Sequence, residues 1–304
     1  MSDPNWGLLK KKHRLNERAR MMQTIRAFFV AQAFLEVDTP YRIPCNAPEA
    51  HIDPVTSGEQ VLHTSPELCM KRLLAAGYER IFQLCHCWRA EERGQRHLGE
   101  FTMLEWYRAE SDYTDLMNDC EQLLRALCPQ GTLSYQGASI TLQDPFERLT
   151  LSDAFDRYAP MSLTEAIDNT CFDEIYTQHI EPNLGKHQPT FITHYPADMA
   201  ALARLCPEDP DHAERFELYI AGMELANAFS ELNDPAEQRQ RFVAEQALRE
   251  QMGKAPSPLP EPFLQELEHL PPSAGIALGI DRLAMLLTDS TTIDEVVAFT
   301  PEML

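Results

Sequence analysis

Long apolar runs are missing from this 304-residue chain, and no stretch approaches the ~18 hydrophobic residues that a membrane-spanning helix needs. The N-terminus, MSDPNWGLLKKKHRLNERAR, has no apolar core of the kind a secretory leader carries. Secretion and membrane insertion are therefore set aside, and the cytoplasm is the expected compartment. Positive charge is scarce as well: 26 Lys and Arg face 47 Asp and Glu, a formal net charge of −21. It is unevenly placed. Residues 1–30 carry seven Lys/Arg against two Asp/Glu, a local +5, while the remaining 274 carry 19 against 45, or −26. A body this acidic lacks the clustered Lys and Arg that phosphate backbones demand, which excludes a general nucleic-acid binder. Paired metal-ligand spacing is lacking among the eight cysteines, which read as reduced thiols. Cys85-His86-Cys87 is the one tight cluster. On a strand it turns both cysteines to one side and His86 to the other, with no second half-site in view. The G-x-G-x-x-G dinucleotide fingerprint is absent too.

What is present is ample core material, 44% hydrophobic residues, enough for one large domain over 1–304 or two of ordinary size. Residues 1–14 read as a basic extension whose Lys10-Lys11-Lys12-His13-Arg14 run suits an acidic partner or a solvated helix end. Leu15, Ala19, Met22, Ile25, Phe28 and Phe29 recur at three and four residues and predict a first helix over 15–34. A short strand then stops at Pro40. Thr64-Ser65-Pro66-Glu67 opens a helix that ends at Gly77 and sets a hydroxyl and a carboxylate beside free backbone amides. Tyr113 to Leu127 predicts a helix, Gly131 to Leu142 a hairpin, and Thr190 to Thr193 a buried strand. Residues 160–190 show only a mixed pattern.

Between Gln83 and Glu110, charge and aromatics concentrate as nowhere else. Arg89, Arg93 and Arg96 stand with Glu91, Glu92, Glu100, Glu105 and His97, interleaved with Trp88, Phe101, Trp106 and Tyr107. Apolar alternation brackets the charges, so the stretch predicts two paired strands joined by a long polar loop, a plausible nucleotide site. A second block, FELYIAGMELANAFSELND (216–234), predicts a hairpin turning at Ala221-Gly222 that pairs 220 with 223 and 219 with 224. Glu217 and Glu224 then share a face, where two carboxylates repel unless a cation such as Mg²⁺ lies between them. Strict alternation sets Asn227, Phe229 and Glu231 opposite Glu224. Either a bulge intervenes near Leu225-Ala226 or the two groups serve different sites. The third block, Ser273 to Leu287, reads as a small-residue strand entering a helix, with Gly275 and Gly279 allowing close backbone approach and Arg282 in the first helical turn.

Taken in order, the strand closing at Pro40, the arginine loop and Gly279-Ile280-Asp281-Arg282 resemble the three signature motifs of class II aminoacyl-tRNA synthetases. Phe101 to Tyr107 (FTMLEWY) and Asn227 to Asp234 (NAFSELND) are similar to the lysine enzymes, over about residue 14 to the end. The resemblance implies an α+β fold, a mostly antiparallel sheet flanked by helices. It also implies ATP and Mg²⁺ as cofactors and a homodimer. Only about a dozen residues precede the first catalytic helix, so the anticodon-binding OB domain of the lysine enzymes is not expected, nor is tRNA binding. With Ala277 where those enzymes usually carry glycine, Ser65 where they tend to carry alanine, and EPNLGK at 181–186, the chain resembles the elongation factor P β-lysine ligases. That likeness implies β-lysine as the substrate and elongation factor P as the protein acceptor.

Carried over position by position, the resemblance makes Arg89 and Arg282 the catalytic arginines. Arg89 grips the α-phosphate and the substrate carboxylate. Glu91 accepts from the adenine amine, and Phe101 and Arg282 sandwich the ring. Arg96, His97 and Arg282 hold the outer phosphates. Leu98, Leu225 and Gly279 offer backbone to the nucleotide, beside Glu224. Glu217 and Glu224 place the metal. Ser65, Pro66, Glu67, Glu105, Tyr107, Asn227, Phe229, Glu231 and Ala277 line the amino-acid pocket, where paired acids suit a diamino acid. Leu98-Gly99 departs from the Asn-Pro that the family usually shows, and Ala90 from its usual asparagine; neither removes a charge that adenylation needs. Intact Arg89, Arg282, Glu217 and Glu224 count against a catalytically silent paralogue.

Overall fold

The computed structural model describes residues 6–304; residues 1–5 of the expected basic extension lie outside them. Helix α1 runs Trp6–Ala31, so it begins well before the expected residue 15 and takes in the basic run. Lys, Arg and Leu are good helix formers, and nothing between residues 6 and 15 breaks the helix. Its charges are used at home. Lys11 Nζ donates to the Val297 carbonyl at 3.2 Å, and Arg14 bonds Ser290 Oγ at 2.8 Å and pairs with Glu295 at 2.8 Å. Met21, Ile25 and Phe29, one helical turn apart, are the buried stripe of α1.

A nine-stranded mixed sheet carries the domain. In chain order its strands are β1 (Leu35–Glu36), β2 (Arg80–Trp88), β3 (Glu100–Ala109), β4 (Glu147–Thr150), β5 (Thr190–Pro196), β6 (Leu205–Cys206), β7 (Asp209–Ile220), β8 (Met223–Ser230) and β9 (Ser273–Gly279). Spatially they run β1-β2-β3-β9-β8-β7-β5-β4, with β6 on β7. Only the edge pairs β1/β2 and β4/β5 are parallel; the other pairings are antiparallel.

One face of the sheet is the core. Leu84, Leu104, Leu278, Ala226, Leu218 and Phe191 stand opposite one another across six strands, in register. They pack against α1, α3 (Tyr113–Leu127) and α6, the helix Ile280–Leu287 that follows β9. Between α3 and α6 in the chain come α4 (Leu151–Tyr158) and α5 (Pro235–Gln251). Asp112 caps α3 in a capping box with Asp115, and Thr150 caps α4. The uninformative stretch 160–190 becomes two short helices, a single π turn and a 3₁₀ turn, Leu163–Asn183. Because side chains alternate, the other sheet face is left for α2 (Glu67–Ala75), α5 and the functional groups.

Candidate active site

Two rows of side chains cross the open sheet face. In the first, Gln83, Glu105, Ala277, Asn227 and Glu217 pair strand by strand from β2 to β7; in the second, Ile81, Tyr107, Gly275, Phe229 and Arg215 do the same. The alternative left open by the hairpin pattern is resolved by a bulge. Tyr219 faces Glu224 but Leu218 faces Ala226, so Leu225 is the extra residue. Leu225 and Ala226 both turn to the core, and Glu224 joins Asn227, Phe229 and Glu231 on the open face.

A cavity of about 240 Å³ sits at the end of this face nearest the arginine loop. Arg89, Arg96, His97, Leu98 and Phe101 line it from the loop side. Glu224, Leu225, Gly279 and Arg282 line it from β8, β9 and α6. The Arg89 guanidinium lies 5.1 Å from the Phe101 ring centre. Arg282 donates to the Glu224 carbonyl at 2.8 Å and lies 2.6 Å from His97 Nε2. An arginine can only donate, so His97 Nε2 is the acceptor and the ring is neutral. Burial, and then Arg282, pushes the His97 pKa below its ordinary value, in agreement. Glu91 does not reach the cavity wall. It stands exposed with φ of 62°, and its neighbour Glu92 lines the cavity instead. At the Leu98-Gly99 departure a Cβ on Gly99 would meet the Arg89 carbonyl at 3.2 Å, a tight contact, and Arg89 N bonds the Gly99 carbonyl at 2.9 Å. That backbone pair closes the loop at its base.

Of the two expected metal carboxylates, Glu217 is already held by Arg215 Nη2 and the Tyr219 hydroxyl, each at 2.6 Å. Glu224 has one oxygen on Arg282 at 3.2 Å and the other without a partner among the described residues. Glu181, which sequence reasoning did not single out as an acid, joins them. It lies 3.9 Å from Arg96, and burial pushes its pKa up, with Arg96 opposing and Glu224 adding. Among the described residues these three acids do not draw together into a close ligand cluster, but hard oxygen donors beside arginines are the donor type that suits a divalent cation shared with phosphate oxygens.

Further along the face lies a buried acidic pocket. Ser65 Oγ and the Tyr107 hydroxyl donate to the two oxygens of Glu105 at 2.6 and 2.8 Å, and Ser65 Oγ also accepts from Glu67 N at 3.0 Å. Pro66 begins the turn into α2. Lys71, missed in the sequence, sits with its side chain wholly buried between Glu67 at 2.6 Å and Glu231 at 2.5 Å, and 5.1 Å from the Phe229 ring centre. Its spacing from Glu67 is one helical turn, the available signal. Burial alone would lower the Lys71 pKa; Glu231 and Glu67 hold it above the ordinary value. Burial, then Glu67, pushes Glu105 well up. Burial also raises Glu231 to about 8, with Lys71 opposing. Two of these three carboxyls therefore share one ammonium, and the third, Glu105, is held by hydroxyls alone. Gln83, also missed, is 2% exposed beside Glu105, and both ends of its amide lack a partner. Gly275 keeps the pocket open, since a Cβ there would fall 2.2 Å from Tyr107 Cε1 and 2.3 Å from Glu231 Oε1.

Cys85 and Cys87 share a buried side and His86 faces out, pairing with Glu100 at 3.1 Å. One further group does approach them: His63, from the preceding loop, brings a ring nitrogen within 3.9 Å of Cys87 Sγ, itself 3.9 Å from Cys85 Sγ. That nitrogen also lies 2.6 Å from the His86 carbonyl, which fixes it as a donor. All eight cysteines are free.

The family model for class II tRNA synthetases (D, K and N) matches residues 9–303. An "Elongation factor P--(R)-beta-lysine ligase" of Edwardsiella ictaluri is 42% identical over 308 residues, 94% of each chain. The protein of the same description from Pseudoalteromonas translucida is 40% identical over 305 residues, again 94% of each. A third, from Haemophilus ducreyi, is 40% identical over 313 residues, 97% of this chain and 96% of its own. No helix among the described residues is long and apolar enough to cross a membrane.

Proposed function

The chain belongs to the class II tRNA synthetases of the D, K and N group, and on that footing we propose that it adenylates (R)-β-lysine with ATP and transfers it to the ε-amino group of a lysine on elongation factor P. AMP and pyrophosphate are released. The observation that carries this reading is the charge balance of the buried pocket. Glu67 and Glu231 share Lys71 while Glu105 accepts only from the Ser65 and Tyr107 hydroxyls, which leaves room for two further positive charges, and a diamino acid supplies two ammonium groups. The names of the relatives support the same substrate and acceptor.

In the first half-reaction the substrate carboxylate attacks the α-phosphorus in line and pyrophosphate departs. Arg89, on the wall of the nucleotide cavity, neutralises charge on both reacting groups; Arg96 and Arg282 hold the outer phosphates, with neutral His97 fixing Arg282. Phe101 supplies the ring face for the adenine, and the Leu98, Leu225 and Gly279 backbones approach the nucleotide. Glu217 and Glu224 would hold Mg²⁺, which when bound would neutralise phosphate oxygens; Arg215 and the Tyr219 hydroxyl orient Glu217. Ser65, Glu67, Glu105, Tyr107, Asn227, Phe229 and Glu231 orient the diamino acid. Ala277, in the row between Glu105 and Asn227 and packed with Cys85, Cys87 and Met103, crowds an α-amino group and spares a β-amino group. Such discrimination is worth ~1–3 kcal/mol. Exposed Val30 and Leu35, where α1 meets the edge strand β1, suit the dimer contact of the first motif. ATP–pyrophosphate exchange tests the reading: β-lysine should drive it best, α-lysine less well. Stronger exchange with α-lysine contradicts the substrate, and no exchange with either contradicts the adenylation.

A further inference from the structure

The loop over residues 45–54 is fixed in its main chain and free in one side chain. Arg249, near the end of α5, donates to the carbonyls of Glu49 at 2.8 Å and Ile52 at 2.9 Å and to Asp53 Oδ1 at 3.0 Å. Lys254 Nζ donates to the Ala50 carbonyl at 2.8 Å, and Glu245 accepts from Ala50 N at 2.7 Å. From the other side, Ala90 N of the arginine loop bonds the Asp53 carbonyl at 2.7 Å. With its backbone anchored this firmly, the loop presents a Glu49 carboxylate that accepts no hydrogen bond among the described residues. Glu67, Glu105 and Glu245 around it all do.

Glu49 also stands between two cavities. One is the nucleotide cavity; the other, of about 620 Å³, lies between this loop, the Ala197–Leu205 segment and α5. Glu49 and Ile52 line both. The acids of the second cavity, Asp198, Glu237 and Glu245, outnumber its Arg241, which is itself held by Glu237 and by the Ala201 and Ala203 carbonyls. The walls thus favour a primary ammonium.

We propose that this second cavity is the approach route of the acceptor's lysine side chain, and that Glu49 at its inner end takes the proton from the attacking ammonium. The proposal rests on the ligase reading above. The Glu49 carboxylate takes one proton, and the freed nitrogen lone pair attacks the carbonyl carbon of the aminoacyl adenylate. The bond from that carbon to the phosphate oxygen breaks, AMP leaves with the electron pair, and the second nitrogen proton passes to its phosphate. Water then removes the proton from Glu49. Burial holds the Glu49 pKa at about 7; Arg89 opposes that rise, Glu67 and Glu245 add to it, and Arg249 opposes it. Those four act on it from the arginine loop, α2 and α5; Glu92 and Arg96 share its nucleotide-cavity wall, and Asp198, Glu237 and Arg241 line the second cavity with it. A carboxyl near neutrality is suited to general-base work.

The test compares wild type with Glu49→Gln in two measurements: ATP–pyrophosphate exchange with β-lysine, and single-turnover transfer to elongation factor P between pH 6 and 9. The wild-type transfer rate should rise through about pH 7 and level off. In Glu49→Gln transfer at pH 7 should fall ~100-fold, the lower end of what a general base supplies, and far more than exchange falls. Its rate should then climb with the free-amine fraction across the whole range. A second variant, Ala244→Trp, puts bulk on the wall of the second cavity and should raise the acceptor KM several-fold more than the ATP KM. An undisturbed transfer profile in Glu49→Gln, or equal losses in exchange and transfer, overturns the role of Glu49, and an unchanged acceptor KM in Ala244→Trp overturns the route. Absence of wild-type exchange would instead overturn the adenylation reading.

Discussion

Lys71→Met removes the one cation from the acidic pocket while keeping the length and bulk of its stem. The Lys71 and Glu231 side chains are both 0% exposed and Glu67 only 17%, so water cannot screen what is left. Breaking a buried pair from one side costs about 3–5 kcal/mol. The protein has a partial escape, because Glu231, already raised to about 8, loses the group that lowers it and rises further. Its folded pKa then lies far above its unfolded value. The folded variant therefore binds more protons than the unfolded chain, and stability falls as pH rises, by about 1.4 kcal/mol per unit for each extra proton. Urea unfolding of both proteins at pH 5.5 and 8.5 measures this. Wild-type Glu231 is itself protonated below about pH 8, so the variant's loss should be larger at pH 8.5 than at pH 5.5 by up to ~0.8 kcal/mol. An equal loss at both pH values, or none, would refute the account of the pocket as an excess of acid held by one lysine.

Gly275→Ala places a methyl into Tyr107 and Glu231; exchange assays should show the diamino-acid KM raised roughly 10- to 100-fold, about 1.4–2.8 kcal/mol, with the ATP KM little moved. Because Glu231 and Glu105 are raised without a bound cation, an entering diamino acid displaces protons. Its affinity, followed by calorimetry in two buffers of different ionisation heat, should rise from pH 6 toward 8.5 with proton release; proton uptake would contradict this. Asp281 is 3% exposed, receives Thr102 N at 2.7 Å and pairs with Arg18 of α1. Asp281→Ala should cost about 3–5 kcal/mol in urea unfolding by orphaning both.

The strands, α3 and the hairpin register at Ile220-Met223 could be read from the chain because alternation, caps and turns are local signals. The start of α1 could not, since a basic helix that docks on the C-terminal segment through Lys11 and Arg14 looks like a solvated tail until its partners are known. The bulge at Leu225 was legible only as a conflict, two face assignments that strict alternation could not satisfy together. Resemblance supplied most of the pocket residues, and the structure gathers them on one sheet face. Lys71, Gln83, His63 and Glu49 escaped notice for a common reason: each matters through a neighbour distant in sequence. Lys71 needs Glu231, Gln83 needs Glu105, and Glu49 needs α5 to hold its loop. Glu91 shows the converse, a residue placed by motif that the loop conformation turns outward.

The proposed reaction ends in transfer of a diamino acid to a protein lysine. Intact-mass spectrometry of elongation factor P, after incubation with this protein, ATP and (R)-β-lysine, tests it most directly. The acceptor should become heavier by one lysyl residue, the increase mapping to a single lysine and requiring ATP. An acceptor of unchanged mass, under conditions where β-lysine drives ATP–pyrophosphate exchange, would contradict it.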